Sequence, residues 1–191
     1  MEMQGSRLLA VTQQQAWDAL NDPEVLKACI PGCDSIEATG DHSYALVNAI
    51  KVGPVAAKFK GAIELAEVNA PHSYTLHFEG NGGVAGFGKG SAQVALTPGE
   101  AGCTLAYTVH ATVGGKIAQV GQRLIDGVAK SMAESFFQRF DEEMQRRYPA
   151  PAAEEAPGAA EAAPPPAGGI PLWLWVALAV LAALAAVWAL R

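Results

Sequence analysis

Residues 116–147 read KIAQVGQRLIDGVAKSMAESFFQRFDEEMQRR, and the expected architecture depends on them. It contains no proline, and its apolar residues recur at helical spacing, which predicts one long amphipathic helix over 116–147. The apolar positions are Ile117, Val120, Leu124, Val128, Met132, Phe136 and Phe140. Such a helix needs an apolar surface to cover, and the segments before it supply one.

These preceding segments alternate apolar and polar residues. Tyr74, Leu76 and Phe78 are interleaved with polar residues, and residues 55–68, 92–97 and 103–110 show the same period of two. This alternation is typical of an antiparallel sheet with one solvent-exposed face and one buried face. We therefore expect an α+β helix-grip fold: a curved antiparallel sheet wrapped on the long C-terminal helix.

The N-terminal region predicts a strand over 3–11 and then two short helices. Thr12 is a suitable N-cap for a helix over 13–20, and Pro23 suits the first turn of a helix over 23–28. Pro31 and Gly32 should end the second helix.

Composition divides the chain into three parts. Residues 1–148 should form one folded domain, and residues 149–169, which are only Ala, Pro, Glu and Gly, should form a disordered linker. The net charge is −6 for the whole chain, and no long basic run occurs, so nucleic acid is not an expected partner.

Residues 170–190 carry no charge, and a helix of this length would span about 30 Å, the thickness of a bilayer core. Trp173 and Trp175 lie at one end and Trp188 at the other, where amphipathic rings prefer to sit in a membrane. The first 15 residues do not resemble a signal peptide. We expect a single-pass C-terminal anchor in the cell membrane, with the domain facing the cytoplasm.

The sequence shows no catalytic or metal-ligand constellation. Cys29 and Cys33 have C-x3-C spacing with no second ligand pair, Cys103 stands alone, and the four histidines have no metal spacing. We therefore expect no metal and no catalytic residue.

Three stretches carry a family resemblance: Cys29–Cys33 (CIPGC), Gly86–Ala92 (GFGKGSA) and Gly114–Asp126 (GGKIAQVGQRLID). With the order of predicted elements, residues 1–147 resemble the START-like (SRPBCC) superfamily and, within it, the G-subunit family of carbon monoxide dehydrogenase. The resemblance implies a non-enzymatic accessory protein that recruits a molybdenum hydroxylase of the CO dehydrogenase type to the cytoplasmic membrane. It also implies a cavity between helix and sheet that holds a quinone or another lipid.

The residues expected to line this cavity come from both layers. The sheet offers Phe59, Ile63, Leu76, Phe78, Leu105 and Tyr107, and the helix offers Ile117, Val120, Gly121, Leu124 and Val128. Phe87 is a candidate gate at the mouth. Asn48 lies in phase with Tyr44, Leu46 and Ile50, so it is a possible polar contact to a ligand carbonyl.

Other interpretations remain open. The small residues under the helix could instead allow tight packing, which would make the protein a membrane tether without a ligand. A cyclase or hydrolase of the same superfamily would need an acid–base pair, for which Glu79 and Asp126 are the candidates. Gly83–Lys89 resembles a phosphate-binding loop, but Gly90 replaces the required Ser or Thr, and a strand pattern follows.

The predicted anchor makes a direct prediction. The full chain should stay with the membrane pellet after washes with high salt and with alkaline carbonate, because neither treatment extracts a spanning helix. Immunoblotting of pellet and supernatant checks this, and release of the full chain by either wash would contradict it.

Overall fold

The computed structural model describes residues 1–149. Its elements follow the predicted order, with strands β1 to β7 and helices α1 to α3 numbered along the chain. They are β1 Glu2–Leu9, α1 Gln13–Leu20, α2 Pro23–Cys29, β2 Cys33–Gly40, β3 Ser43–Val52, β4 Val55–Asn69, β5 Ser73–Asn81, β6 Phe87–Gly99, β7 Gly102–Gly114 and α3 Gln122–Arg147. Two short 3₁₀ helices, Gly83–Ala85 and Lys116–Val120, precede β6 and α3.

The seven strands form one antiparallel sheet in the order β1-β7-β6-β5-β4-β3-β2. Strands β2 to β7 follow one another as a meander, while β1 pairs with β7 at the far edge. Helices α1 and α2 carry the chain from the β1 edge to the β2 edge. Helix α3 contacts both β1 and β3, so the sheet curves around it. The predicted α+β fold of sheet and C-terminal helix is confirmed.

Both short helices begin as the sequence predicts. The Thr12 hydroxyl accepts a hydrogen bond from the Gln15 backbone N–H, and the Gln15 side chain accepts one from the Thr12 N–H, at 3.2 and 2.9 Å. In α2, the Asp22 carboxylate accepts a hydrogen bond from the Glu24 N–H at 2.8 Å, and Pro23 occupies the first turn. These caps satisfy N–H groups that have no partner within the helix.

The prediction of one continuous helix from residue 116 is wrong. The first five residues form a 3₁₀ helix, and Gly121 then breaks the path with a φ of +96°, a backbone conformation that favours glycine. Helix α3 starts at Gln122. The predicted stripe still faces the sheet from Val128 onward, but in the first turn of α3 Ile125 rather than Leu124 is buried.

Two apolar clusters lie between sheet and helices. The primary core contains Leu9, Trp17, Leu105, Phe140 and Met144, and it holds the C-terminal half of α3 against α1, α2 and the middle of the sheet. The secondary core consists of Val52, Val55, Phe59, Ala85, Ile117 and Ile125. It lies under the N-terminal half of α3. The two halves of one helix are therefore packed on separate clusters.

Ion pairs fix the C-terminal end of α3 to α2. Arg147 donates to the second oxygen of the capping residue Asp22 at 2.7 Å, and it also donates to Glu143 at 2.7 Å. Arg146 donates to both Glu143 oxygens at 2.6 Å. Hydrogen bonds from Arg146 and Arg147 lower the pKa of Glu143, which is 9 % exposed. The two helices are thus joined by a charged network as well as by the primary core.

The predicted anchor over 170–190, and the predicted linker apart from Pro149, lie outside the described residues. Within residues 1–149, no helix is both long enough and apolar enough to cross a membrane.

The charged network gives a pH-dependent prediction. The substitution Glu143→Gln should lower the free energy of unfolding by about 1 kcal/mol at pH 7, because it removes the charged acceptor of both arginines. Since the folded-state pKa of Glu143 lies below its ordinary value of 4.5, this stabilisation is present above pH 4.5 and is lost as the pH falls through the folded-state pKa.

Urea unfolding at several pH values measures the difference. Glu142→Gln is the matched control, because the side chain of Glu142 is exposed and accepts one 3.3 Å hydrogen bond from Gln138. A Glu143→Gln deficit that is the same at pH 3 and pH 7 would contradict the assignment.

Candidate functional site

A cavity of about 400 Å³ lies between the concave face of the sheet and the N-terminal half of α3. Strands β3, β4 and β5 form its floor, and the Lys116–Val120 segment and α3 form its roof. Its lining residues are Leu46, Asn48, Ile50, Val52, Phe59, Gly61, Ile63, Leu76, Phe78, Glu79, Gly80, Phe87, Gly88, Val113, Ile117, Ile125, Val128, Ala129 and Met132.

Small residues explain why this space is not filled. Gly61, Gly80 and Gly88 contribute no side chain from the sheet, and Ala129 contributes one methyl group from the helix. A Cβ on Gly61 would lie only 2.7 Å from the Glu79 carbonyl oxygen, so β4 and β5 leave no room for a larger residue there. The roof and the floor are thus separated where the side chains are short.

The lining is apolar except for two side chains. Glu79 is exposed, and it marks the outer edge of the cavity. Asn48 is only 7 % exposed, and its Oδ1 has no hydrogen-bond partner. It is the single side-chain polar atom of residues 1–149 that is both fully buried and unpaired. Leaving such an atom without a partner costs free energy, so its position beside an open cavity indicates a place for a ligand or water donor.

Pairing within the sheet holds Asn48 in place. Its neighbour across β2 is Cys33, and its neighbour across β4 is Phe59. The Ala49 N–H donates to the Gly32 carbonyl at 2.8 Å, which fixes the chain next to it. The amide is therefore carried by the rigid part of the sheet rather than by a loop.

The cavity reaches the surface at Phe87. This side chain lines the cavity, and it is 45 % exposed. Its ring covers Gly114, since a Cβ there would lie 2.5 Å from the ring. Just before it, Gly86 has a φ of +119°, and a Cβ would come within 2.1 Å of the Gly114 carbonyl oxygen. The Gly86-Phe87 pair thus needs glycine at its first position to bring the ring to the mouth.

The structure brings many of the predicted site residues together. The lining contains Phe59, Ile63, Leu76, Phe78, Phe87, Ile117, Val128 and Asn48. Their contact with a ligand stays a prediction. The lining residues that the sequence prediction missed include Val52, Val113, Ile125 and Met132.

Two predicted sheet residues lie elsewhere. Leu105 is 2 % exposed and belongs to the primary core. Tyr107 stacks on Phe137 with ring centroids 5.5 Å apart. Both belong to the central part of β7, which meets the C-terminal half of α3, whereas only Val113 near the end of β7 reaches the cavity. Alternation identified the correct face of β7 but could not say which half of α3 lies over it.

Three predicted helix residues also lie outside the lining. Leu124 is 49 % exposed and touches the β3–β4 turn, where its Cδ1 lies 3.8 Å from a Cβ built on Gly53. Val120 packs at the margin of the secondary core, and Gly121 forms the break before α3. In the first turn of α3, Ile125 faces the cavity in place of Leu124, while Val128 and Met132 of the predicted stripe remain on the cavity side.

The side chains considered for catalysis do not form a site. Glu79 lies at the edge of the cavity, while Asp126 accepts a hydrogen bond from Gln122 at 2.6 Å and faces a groove beside β1. The Cys29 thiol is fully buried, and burial raises its pKa to about 11, so it stays protonated near neutral pH.

Comparison with known proteins agrees with this geometry. Residues 5–145 match the family model described as the G subunit of carbon monoxide dehydrogenase (CoxG). The chain belongs to the CoxG family. No curated protein sequence matches it.

Solved structures show the same fold as this CoxG chain. A conserved protein from Geobacillus kaustophilus is 36 % identical with a TM-score of 0.71, covering 76 % of this chain and 96 % of that one. A protein from Thermus thermophilus is 14 % identical with a TM-score of 0.60, covering 78 % and 99 %. An aromatase/cyclase from a Streptomyces species is 11 % identical with a TM-score of 0.55, covering 77 % and 94 %.

These neighbours have the START-like (SRPBCC) fold, as the sequence predicts. The family indicates an accessory role. The superfamily also contains enzymes, as the aromatase/cyclase shows.

The unpaired amide gives a prediction for stability. Asn48→Leu should raise the free energy of unfolding of the ligand-free protein by about 1 kcal/mol, because it replaces a buried polar atom without a partner by an apolar side chain of similar size. The control is Asn21→Leu. The Asn21 amide donates to the Trp17 carbonyl at 2.8 Å, so its loss should destabilise the fold.

Urea unfolding of the three proteins measures both effects. A loss of stability in Asn48→Leu as large as that in Asn21→Leu would show that the Asn48 amide already has a partner within the protein.

Proposed function

We propose that this CoxG protein is a membrane-anchored, non-enzymatic accessory protein that holds an apolar, carbonyl-bearing ligand of the quinone class in its helix–sheet cavity. In this role it recruits a molybdenum hydroxylase of the CO dehydrogenase type to the cytoplasmic membrane and links it to the respiratory chain. The observation that carries the ligand proposal is an apolar cavity whose lining includes Asn48, the residue with a buried, unpaired amide oxygen.

The size of the cavity supports this ligand class. Ligand pockets generally measure about 300–1,000 Å³ and are mostly apolar with a few placed polar groups. A cavity of about 400 Å³ is large enough for a quinone ring, and its opening at Phe87 lets an isoprenoid tail extend outward. The aromatic rings of Phe59 and Phe78 line the same space, and they favour a flat apolar ring.

The chemistry of Asn48 fits both redox forms of a quinone. In the orientation described, its Oδ1 would accept a hydrogen bond from a quinol hydroxyl. A half-turn of the amide would place Nδ2 at the same position, where it would donate to a quinone carbonyl. An amide can therefore satisfy the oxidised and the reduced ligand without moving the backbone.

The cavity offers little for catalysis. Glu79 stands at its edge without Asp126, the second member of the pair considered for acid–base chemistry. The family model describes a component of carbon monoxide dehydrogenase, which supports an accessory role with that system.

The membrane part of the proposal rests on sequence. Residues 170–190 are long and apolar enough for a single spanning helix, which would place the domain on the cytoplasmic face. Residues 149–169 would then tether the cavity at a limited distance from lipid.

A cavity-filling variant tests the ligand proposal. Ala129→Phe places a ring in the cavity, so it should abolish binding of menadione, a ring-only naphthoquinone, to the full chain in detergent. Ser131→Phe is the matched control, because it adds the same ring on an exposed position of the same helix. Isothermal titration measures binding, and circular dichroism checks that both variants are folded.

The second arm of this titration uses Asn48→Leu. Loss of one hydrogen bond of about 1.4 kcal/mol should weaken menadione binding about tenfold. Equal affinity of the wild type and Ala129→Phe, or no binding by the wild type, would favour a tether that carries no ligand.

A further inference from the structure

The mouth of the cavity is surrounded by exposed apolar side chains. Among residues 1–149, four large apolar side chains are notably exposed: Leu8 (58 %), Val84 (97 %), Phe87 (45 %) and Leu124 (49 %). Val84 and Phe87 flank Ala85, and Leu124 precedes Ile125. Both Ala85 and Ile125 are buried in the secondary core. Three of the four exposed side chains therefore adjoin the secondary core, of which Phe59, Ile117 and Ile125 also line the cavity, and Leu8 lies at the other end of the sheet.

The charge of the same region is mostly of one sign. Residues 42–63, 80–99 and 101–125, which include the cavity-lining parts of β3, β4, β6 and β7, contain six basic residues and no Asp or Glu, while acidic residues stand beside their ends at 41, 64, 79, 100 and 126. The basic residues are Lys51, Lys58, Lys60, Lys89, Lys116 and Arg123. Glu79 borders these ranges, and it shares a surface groove with Lys60 and Lys89, so basic side chains outnumber it there. The chain as a whole has a net charge of −6, so the excess of basic residues in these ranges contrasts with an excess of acidic residues in the rest of the chain.

We propose that the apolar, basic rim of the mouth is a docking surface for the headgroup region of an anionic bilayer, and that it seats the cavity mouth directly on the lipid. The rim consists of Val84, Phe87 and Leu124 with Lys51, Lys116 and Arg123. Apolar side chains enter the headgroup–acyl boundary, and basic residues around them bind anionic lipid with about 1 kcal/mol each. This docking surface rests on the proposed function in one respect, namely that the cavity behind the mouth holds a ligand.

The length of the chain beyond the described domain permits this orientation. Leu124 lies at the start of α3, while the chain leaves the domain after Arg147 at its other end. A helix of 26 residues is about 39 Å long. If extended, the 21 residues of 149–169 reach about 65 Å. A chain anchored through 170–190 can therefore run back along the domain and let the mouth meet the same membrane.

The test places an environment-sensitive probe on the rim of the full chain. Val84→Cys in a Cys33→Ser background is labelled with NBD, since Cys29 and Cys103 are buried. Leu8→Cys is the matched control, because Leu8 is also apolar and exposed but lies far from the mouth. Vesicles are phosphatidylcholine alone or a 7:3 mixture with phosphatidylglycerol. The emission reports the surroundings of residue 84 whether or not residues 170–190 insert.

The docking surface predicts that the residue 84 probe shifts to shorter wavelength on the anionic vesicles and is quenched by doxyl-labelled lipid, while the residue 8 probe does neither. Neutralising Lys51, Lys116 and Arg123 to Gln should reduce the docked-to-free ratio about 100-fold, at about 1 kcal/mol for each charge. Neutralising the exposed Lys27, Lys130 and Arg139 to Gln is the control and should leave it unchanged.

Two results would overturn the docking surface. One is a residue 84 probe that stays in water on anionic vesicles. The other is a probe that leaves water only when the purified dehydrogenase is added, which would make the rim a protein interface. Titration with menadione on the same samples separates this outcome from failure of the ligand site, because intact binding with no probe shift rejects the lipid surface alone.

Discussion

The structure depends on the unequal packing of its longest helix. Phe140 and Met144 bury the C-terminal half of α3 in the primary core, and Arg147 joins that end to the cap of α2. The N-terminal half, in which Ala129 contributes only a methyl group, faces glycines of the sheet across a gap of about 400 Å³. The side chains around an unfilled apolar gap lose dispersion contacts, which lowers the stability of the fold. The close packing of the C-terminal half of α3 offsets this loss.

The same arrangement explains why the polar group in the gap matters. Asn48 is carried on β3, between the edge strand β2 and β4, where neighbouring strands on both sides hold it, and yet its Oδ1 has no partner. Buried polar atoms in folded proteins are normally paired. Under the proposed function, this amide would bind a ligand from outside the chain, and Phe87 would lie where that ligand enters.

Sequence patterns were sufficient for the fold because each strand alternates and each short helix carries its own cap. The face of Asn48 followed from its phase with Leu46 and Ile50. The prediction of a continuous helix failed at Gly121. The apolar residues keep helical spacing across this position, but its φ of +96° interrupts the helix. Sequence patterns also failed for Leu105, since alternation gives the face of a strand but not the position of the helix above it. The size of the cavity depends on the distance between the helix and the sheet, which the local sequence does not encode.

The most direct test is to identify what the native protein carries. Full-length wild type and Ala129→Phe are purified in the same detergent, extracted with organic solvent and analysed by quantitative mass spectrometry. We expect about one quinone per wild-type chain and almost none in the variant. A wild type that carries no more quinone or other apolar carbonyl compound than Ala129→Phe would contradict it.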